Sequence, residues 1–191
     1  MMMIEYSLSP VILAADDTEG SDDEPGPSSI ALLIAHDAWL AVGDVEHIIR
    51  RAHDATAARI VAIAGRDVAI LLTSDAAIAE LNAQYRGQDK PTNVLSFPAL
   101  PSVGFATEEP PLGDIAIAYE TVMTEAALHT KPPISHLAHL TVHGLLHLAG
   151  FDHQTEAEAE HMEFMEREIL ASIGIPDPYL PIFDEPPAST G

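Results

Sequence analysis

The sequence predicts a single α+β domain: one sheet of about four strands, about five helices against it, and a buried, histidine-bearing helix at the centre. Three observations predict it. Short apolar runs of strand length fall in the first half of the chain, interspersed with two segments of helical period. From residue 121 onward the pattern is wholly helical, and one of these late helices is apolar on nearly every side except for a stripe of histidines. At 191 residues the chain suits one domain plus tails and is long enough to bury a real core.

The elements can be justified in order. Residues 30–35 are an apolar run fit for a strand, and a helix-start signal near Asp44 precedes helical period through Ile48, Ile49, Ala52 and Ala55. Residues 67–73 form the next strand. Ser74 or Asp75 can cap a helix running to about Tyr85, with Ile78 and Leu81 on its buried face and Gly87 ending it. Residues 93–97 and 114–119 read as two more strands, separated by a Pro-rich loop at 98–111. Helices are expected at 121–129, 133–149 and 156–173. In the middle one, a turn of about 100° per residue puts His136, His139, His143 and His147 in one stripe. Leu137, Val142, Leu145, Leu148 and Ala149 cover most of the remaining circumference. A helix so apolar is central and buried, and its histidines face a cleft, a metal or a polar network.

Eight Lys and Arg stand against thirty Asp and Glu, a formal net charge of −22. The excess sits at the ends: residues 1–24 carry seven acids and no Lys or Arg, and residues 154–191 carry nine acids against Arg167 alone. Residues 16–29, with their Asp, Glu, Gly, Pro and Ser, cannot bury enough apolar surface to offset chain entropy. The expected division is an acidic, disordered leader at 1–29, a folded domain at 30–180 and a disordered tail at 181–191. The acidic helix near the C-terminus reads as a solvated face, although Met162, Met165, Ile169 and Ile173 recur at helical spacing and complete a core. With no cysteine, disulfide scaffolds, thiolate zinc sites and thiol nucleophiles are excluded together, and a reducing compartment fits. No apolar run approaches the roughly 20 residues of a membrane helix, and no Lys or Arg precedes Arg50 to flank a secretory signal. A soluble cytoplasmic protein with no membrane partner is expected.

The chemistry concentrates in His143-Gly-Leu-Leu-His147-Leu-Ala-Gly150-Phe-Asp-His153. Two histidines at i and i+4 project from one helical face, so their imidazoles can converge on one ion. Gly150 permits the positive φ that ends the helix, and a tight return can bring His153 back as a third ligand. Three His ligands leave one tetrahedral position for water, the layout of a catalytic zinc site, although nickel and copper also suit three imidazoles. The bland alternative is a row of core histidines bonded to backbone. His139 is separated from His147 by a helical rise of about 12 Å, too far for both to reach one zinc at about 2 Å. It and His136 are assigned to supporting or core hydrogen bonds, and His161 to an exposed helix surface. Asp152 has two open readings: it orients a ligand imidazole, or it accepts backbone N–H bonds at the turn. The spacing matches the metalloprotease pattern H-E-x-x-H-x-x-G-x-x-H except that Gly144 replaces the glutamate, the general base of peptide hydrolysis, which argues against a peptidase.

Arg86 follows a helix end, where a cation can satisfy terminal carbonyls or the helix dipole; beside Lys90 in a base-poor chain it can instead clamp phosphate oxygens. The histidine segment, together with Leu81-Asn-Ala-Gln-Tyr-Arg-Gly-Gln-Asp-Lys-Pro-Thr-Asn-Val-Leu-Ser-Phe-Pro98 and Leu112-Gly-Asp-Ile115, resembles the YbeY family of metal-dependent endoribonucleases that act in bacterial ribosomal RNA maturation. The resemblance covers about residues 30–180. It implies a central mixed sheet, one zinc per chain at His143, His147 and His153, and a catalytic role for Arg86, near the metal, in handling the RNA backbone. It also implies cytoplasmic work on the small-subunit ribosomal RNA precursor and in ribosome quality control. Residues 1–29 lie outside it, and Phe151 stands where the family often has Tyr. The expected activity is a zinc-dependent, single-strand-type endoribonuclease with Arg86 and His143 in catalysis. The competing readings are a non-catalytic, RNA-binding ribosome assembly factor with structural zinc, and a metal-dependent hydrolase of another substrate.

Overall fold

The computed structural model describes residues 29–99 and 110–180; the leader up to residue 28, most of the Pro-rich loop and the tail at 181–191 lie outside the described residues. In chain order come β1 (Ile30–Ile34), a 3-10 turn (Asp37–Ala41), α1 (Val45–Ala57), β2 (Val68–Thr73), α2 (Asp75–Arg86), β3 (Val94–Pro98) and β4 (Gly113–Ala118). Three helices follow: α3 (Tyr119–Leu128), α4 (Pro133–Leu148) and α5 (Glu156–Ser172). The four strands form one mixed sheet in the order β1-β2-β4-β3. β1, β2 and β4 run parallel, Ile30 opposite Val68 and Val68 opposite Gly113, while β3 closes the edge antiparallel to β4 with Ser96 opposite Ile115. The architecture is the expected α+β domain with four strands and five α-helices.

Local chemistry sets most boundaries. The Asp44 side chain accepts from the His47 amide to start α1, and Ser74, rather than Asp75, caps α2. α5 opens on a full capping box, Thr155 and Glu158 satisfying each other's amides. α3 starts at Tyr119, two residues earlier than expected, because its cap is not local. The Asp75 carboxylate accepts from the Thr121 amide and hydroxyl, and Glu120 in return accepts from the Asp75 amide. The unforeseen 3-10 turn buries Trp39, whose indole donates to the Thr73 carbonyl and packs edge-on against Tyr119. A five-residue turn carries too little periodicity to be read from sequence.

The main core lies between one face of the sheet and helices α1, α4 and α5: Ile70, Leu72, Ile115 and Ile117 meet Ile49, Leu137, Val142, Leu145 and Ile169. A smaller cluster under α2 covers the other face, with Ile78 against Leu95, Ala116 and Ala118. α4 is thus enclosed on all sides but one, as its composition requires. Where it crosses the sheet the space for a side chain at residue 144 is tight. A Cβ there would stand 3.0 Å from Ile115 Cδ1 and 3.2 Å from Ser96 Oγ, which itself donates to the Gly144 carbonyl. The missing glutamate of the protease pattern is therefore a packing requirement, since this position faces the sheet and not the histidine side. No helix among the described residues is long and apolar enough to cross a membrane.

Candidate metal centre

The open side of α4 carries the histidine stripe, and the turn after it completes the site. Gly150 has φ of +92°, and the reversal is closed by the Phe151 amide donating to the Leu146 carbonyl and the Gly150 amide to that of His147. His143, His147 and His153 each offer a ring nitrogen within 4.8 Å of the other two. The half-buried His143 and His147 come from α4 and the exposed His153 from the turn, as the spacing predicts. Asp152 resolves to the second of its two readings: it accepts from the His153 amide and the Gln154 side chain and makes no bond to an imidazole. These bonds, the backbone one first, hold its carboxyl below the usual range.

The hydrogen bonds around the rings decide which nitrogens can take a metal. His147 Nδ1 is 3.0 Å from the Phe151 carbonyl oxygen, which can only accept, so Nδ1 carries the proton and Nε2 keeps its lone pair. His143 Nδ1 is 2.7 Å from Glu166 Oε1, a carboxylate acceptor, so its Nε2 is also bare. The two Nε2 atoms face each other at 3.1 Å. Two lone pairs opposed at this distance repel unless a cation lies between them, and zinc ligands each about 2.0–2.1 Å from the ion around a tetrahedral angle stand about 3.3 Å apart. The donor set therefore fits a divalent metal held by imidazoles. Burial, then the neighbouring His143 and His153, lower the pKa of His147 and favour the neutral, ligating form.

Glu166 is the residue that sequence reading missed. Charge count places it with the rest of its helix on a solvated face, yet it is fully buried. Its Oε1 accepts from His143, and its Oε2 accepts from His139 Nε2 at 3.0 Å and from the Tyr179 hydroxyl. Burial pushes its carboxyl up, but these hydrogen bonds outweigh that effect and hold it down to about 2. The signal was present: Glu166 lies four residues after Met162 and three before Ile169, on the apolar stripe of its own helix. His139 and His136 take the supporting roles expected. His136 Nε2 bonds Glu125, which also holds the Asn93 side chain. His161 is exposed and packs on Phe151.

Arg86 does not touch the histidine cluster. It ends α2 just before Gly87 and lines a surface cavity with Asn82, Gln88, Lys90, Pro91 and Thr92. Asn82 shapes this cavity by donating to the Lys90 carbonyl. Of the eight basic side chains, six are engaged within the protein. Arg50 pairs with Glu46 and Arg167 with Glu163, while Arg51, Arg59, Arg66 and Lys131 donate to Ile173, Ser172, Pro110 and Pro178 respectively. Of the Lys and Arg side chains, Arg86 and Lys90 alone make no hydrogen bond or ion pair among the described residues. Arg86 donates to no terminal carbonyl of α2 among the described residues, while its place in the last turn suits the helix dipole, the other half of the helix-end reading.

A mixed four-stranded sheet under a buried helix that brings three imidazoles together defines an α+β protein with a three-histidine cluster able to hold a metal ion. The sequence profile of the family Endoribonuclease YbeY matches residues 35–174, and the chain belongs to that family. It is 53% identical over 156 residues to "Endoribonuclease YbeY" of Rhodopseudomonas palustris (strain BisB18), covering 80% of this chain and 93% of that one. To the protein of the same name from Bradyrhizobium sp. it is 54% identical over 152 residues, covering 78% and 90%. The solution structure of a Thermotoga maritima protein superposes with a TM-score of 0.51 at 26% identity, covering 76% of this chain and 92% of that one.

Proposed function

We propose that this chain is a zinc-dependent, single-strand-type endoribonuclease that acts in maturation of the small-subunit ribosomal RNA precursor and in ribosome quality control in the cytoplasm. The single observation that carries the metal reading is the pair of bare Nε2 atoms of His143 and His147 opposed at 3.1 Å, with His153 beside them. The names of the relatives supply the substrate class. His143, His147 and His153 would hold the zinc ion, which would supply Lewis-acid chemistry to a phosphoryl oxygen or a water. The chain supplies the rest. Glu166 is sealed from solvent with both oxygens filled by protein donors, so it is no general base. Among the described residues of this acidic molecule, Arg86 and Lys90 are the basic side chains that bond no other group. They precede edge strand β3, whose Ser96 touches α4 beside His143, which supports a reading in which they hold the phosphate backbone of a strand led across that edge.

The test is zinc content and RNA cleavage measured on the same preparations, with RNA from the small-subunit precursor. Wild type is expected to hold about one zinc per chain and to turn over repeatedly; His147→Ala loses most of both, because one of three ligands is gone. His161→Ala keeps both. Equal zinc in wild type and His147→Ala refutes the site. A zinc-loaded wild type that binds RNA without turnover refutes the nuclease and leaves the assembly-factor reading.

A further inference from the structure

We propose that the C-terminal segment at residues 175–180 is a working part of the histidine centre, in which Tyr179, acting through Glu166, fixes the ring of His143 so that its Nε2 faces the metal position. The inference rests on the metal reading above. An imidazole on a helix has a rotatable ring and two tautomers, and only one combination points a lone pair at the ion. What selects it here is a carboxylate with no freedom of its own. Glu166 is fully buried, with Oε1 on His143 Nδ1 and Oε2 shared between His139 Nε2 and the Tyr179 hydroxyl. Three donors from two elements meet on one carboxylate: two from α4, one turn apart, and one from the segment after α5.

That segment is held where the hydroxyl is needed. Lys131 Nζ donates to the Pro178 carbonyl, and the Ile175 amide to that of Leu170. Arg167 stacks over the Tyr179 ring at 5.1 Å and pairs with Asp177 at 3.6 Å. The ring also stands edge-on to His139, with centroids 5.6 Å apart. Tyr179 remains 42% exposed, so what it contributes inward is chiefly the hydroxyl. Remove that hydroxyl and Oε2 keeps only the bond from His139. The carboxylate can then rotate, and His143 loses its fixed acceptor. Hydrogen-bond partners of metal-ligating histidines act in this way, and their loss typically weakens metal binding about 10- to 100-fold. Tyr179 and Glu166 are positioning residues.

The test uses the full chain with two readouts. Zinc affinity is measured by competition with a chromophoric chelator, and the His143 tautomer by long-range nitrogen NMR of the metal-free protein. Wild type is expected to show His143 protonated at Nδ1 only. Tyr179→Phe is expected to bind zinc about tenfold more weakly, with a mixed His143 tautomer and a metal-free melting temperature close to wild type; Glu166→Gln is expected to lose more, up to about 100-fold. His161→Ala should match wild type throughout. Wild-type zinc affinity and a single His143 tautomer in Tyr179→Phe overturn the proposal, and this variant decides alone if Glu166→Gln does not fold. If wild type itself takes no zinc, the metal reading fails, while the tautomer comparison in the metal-free proteins still decides whether Tyr179 positions the ring.

Discussion

Gly144 is the residue whose replacement tests both the packing of α4 and the reason this helix lacks a protease glutamate. A Cβ at 144 meets Ile115 Cδ1 at 3.0 Å, Ile115 Cγ2 at 3.1 Å and Ser96 Oγ at 3.2 Å. Cδ1 is the far end of its side chain, but Cγ2 is attached at a β-branched carbon with little χ1 freedom, and Ile115 is buried on β4. The neighbours cannot all give way. Inserting one methyl into such a core costs about 1–3 kcal/mol, while Gly to Ala in a helix gains about 1 kcal/mol. Gly144→Ala should therefore lose about 0–2 kcal/mol. Gly144→Glu pushes a carboxylate toward an apolar surface where no cation waits, and an unpaired buried charge costs several kcal/mol of a total stability of about 5–15. The assay is urea denaturation with a chelator present, so that metal binding does not mask the difference. The expected order is wild type, then Gly144→Ala, then Gly144→Glu, the last with a largely unfolded population or a much lower midpoint. A Gly144→Glu protein with the wild-type midpoint, or a Gly144→Ala protein stabilised by the full helical gain, refutes the close packing.

Arg86→Ala is expected to keep fold and zinc and to lose at least about tenfold in RNA cleavage, since a charge-assisted phosphate contact contributes about 1.5–3 kcal/mol; unfolding or zinc loss with an unchanged rate refutes that role. Deleting residues 1–28, which spares the bonds of Ser29 to Asp67, should leave the melting temperature nearly unchanged and tighten RNA binding at low salt, the gain shrinking as screening shortens to about 8 Å at physiological salt. Loss of RNA binding at every salt concentration refutes the leader as a dispensable acidic tail. The Asp75 amide chiefly holds the Glu120 carboxyl below its ordinary value of 4.5, so its contribution to stability is present above that pH and is lost as the pH falls through the lower folded value. Glu120→Gln should lower the melting temperature at pH 7 and narrow the gap in acid; an equal gap at about pH 3 and pH 7 refutes the α2–α3 bond as the cause.

Most of the fold could be read because its causes are local. Period, caps and breakers place every strand and every α-helix to within about two residues, and the misses mark where the cause lies elsewhere in the chain. Asp75 caps α3 from 46 residues away, and Trp39 is buried in a turn too short to show a period. Neither carries a signal within its own window.

The site divides along the same line. His143, His147 and His153 are legible because a helix and a glycine turn convert spacing into geometry over eleven residues. Glu166 and Tyr179 reach that geometry only through the packing of α5 on α4 and the return of the chain after it. A carboxylate among acids on a helix looks solvated when charge is counted, and looks buried only when its phase against Met162 and Ile169 is followed. Phase is the stronger signal, because a fully buried carboxylate is tolerated only where donors converge on it. A lone acid on the apolar stripe of a helix that packs against histidines is therefore itself a pointer to an ordered imidazole, and in this chain the imidazole it bonds is that of His143, one of the three clustered histidines.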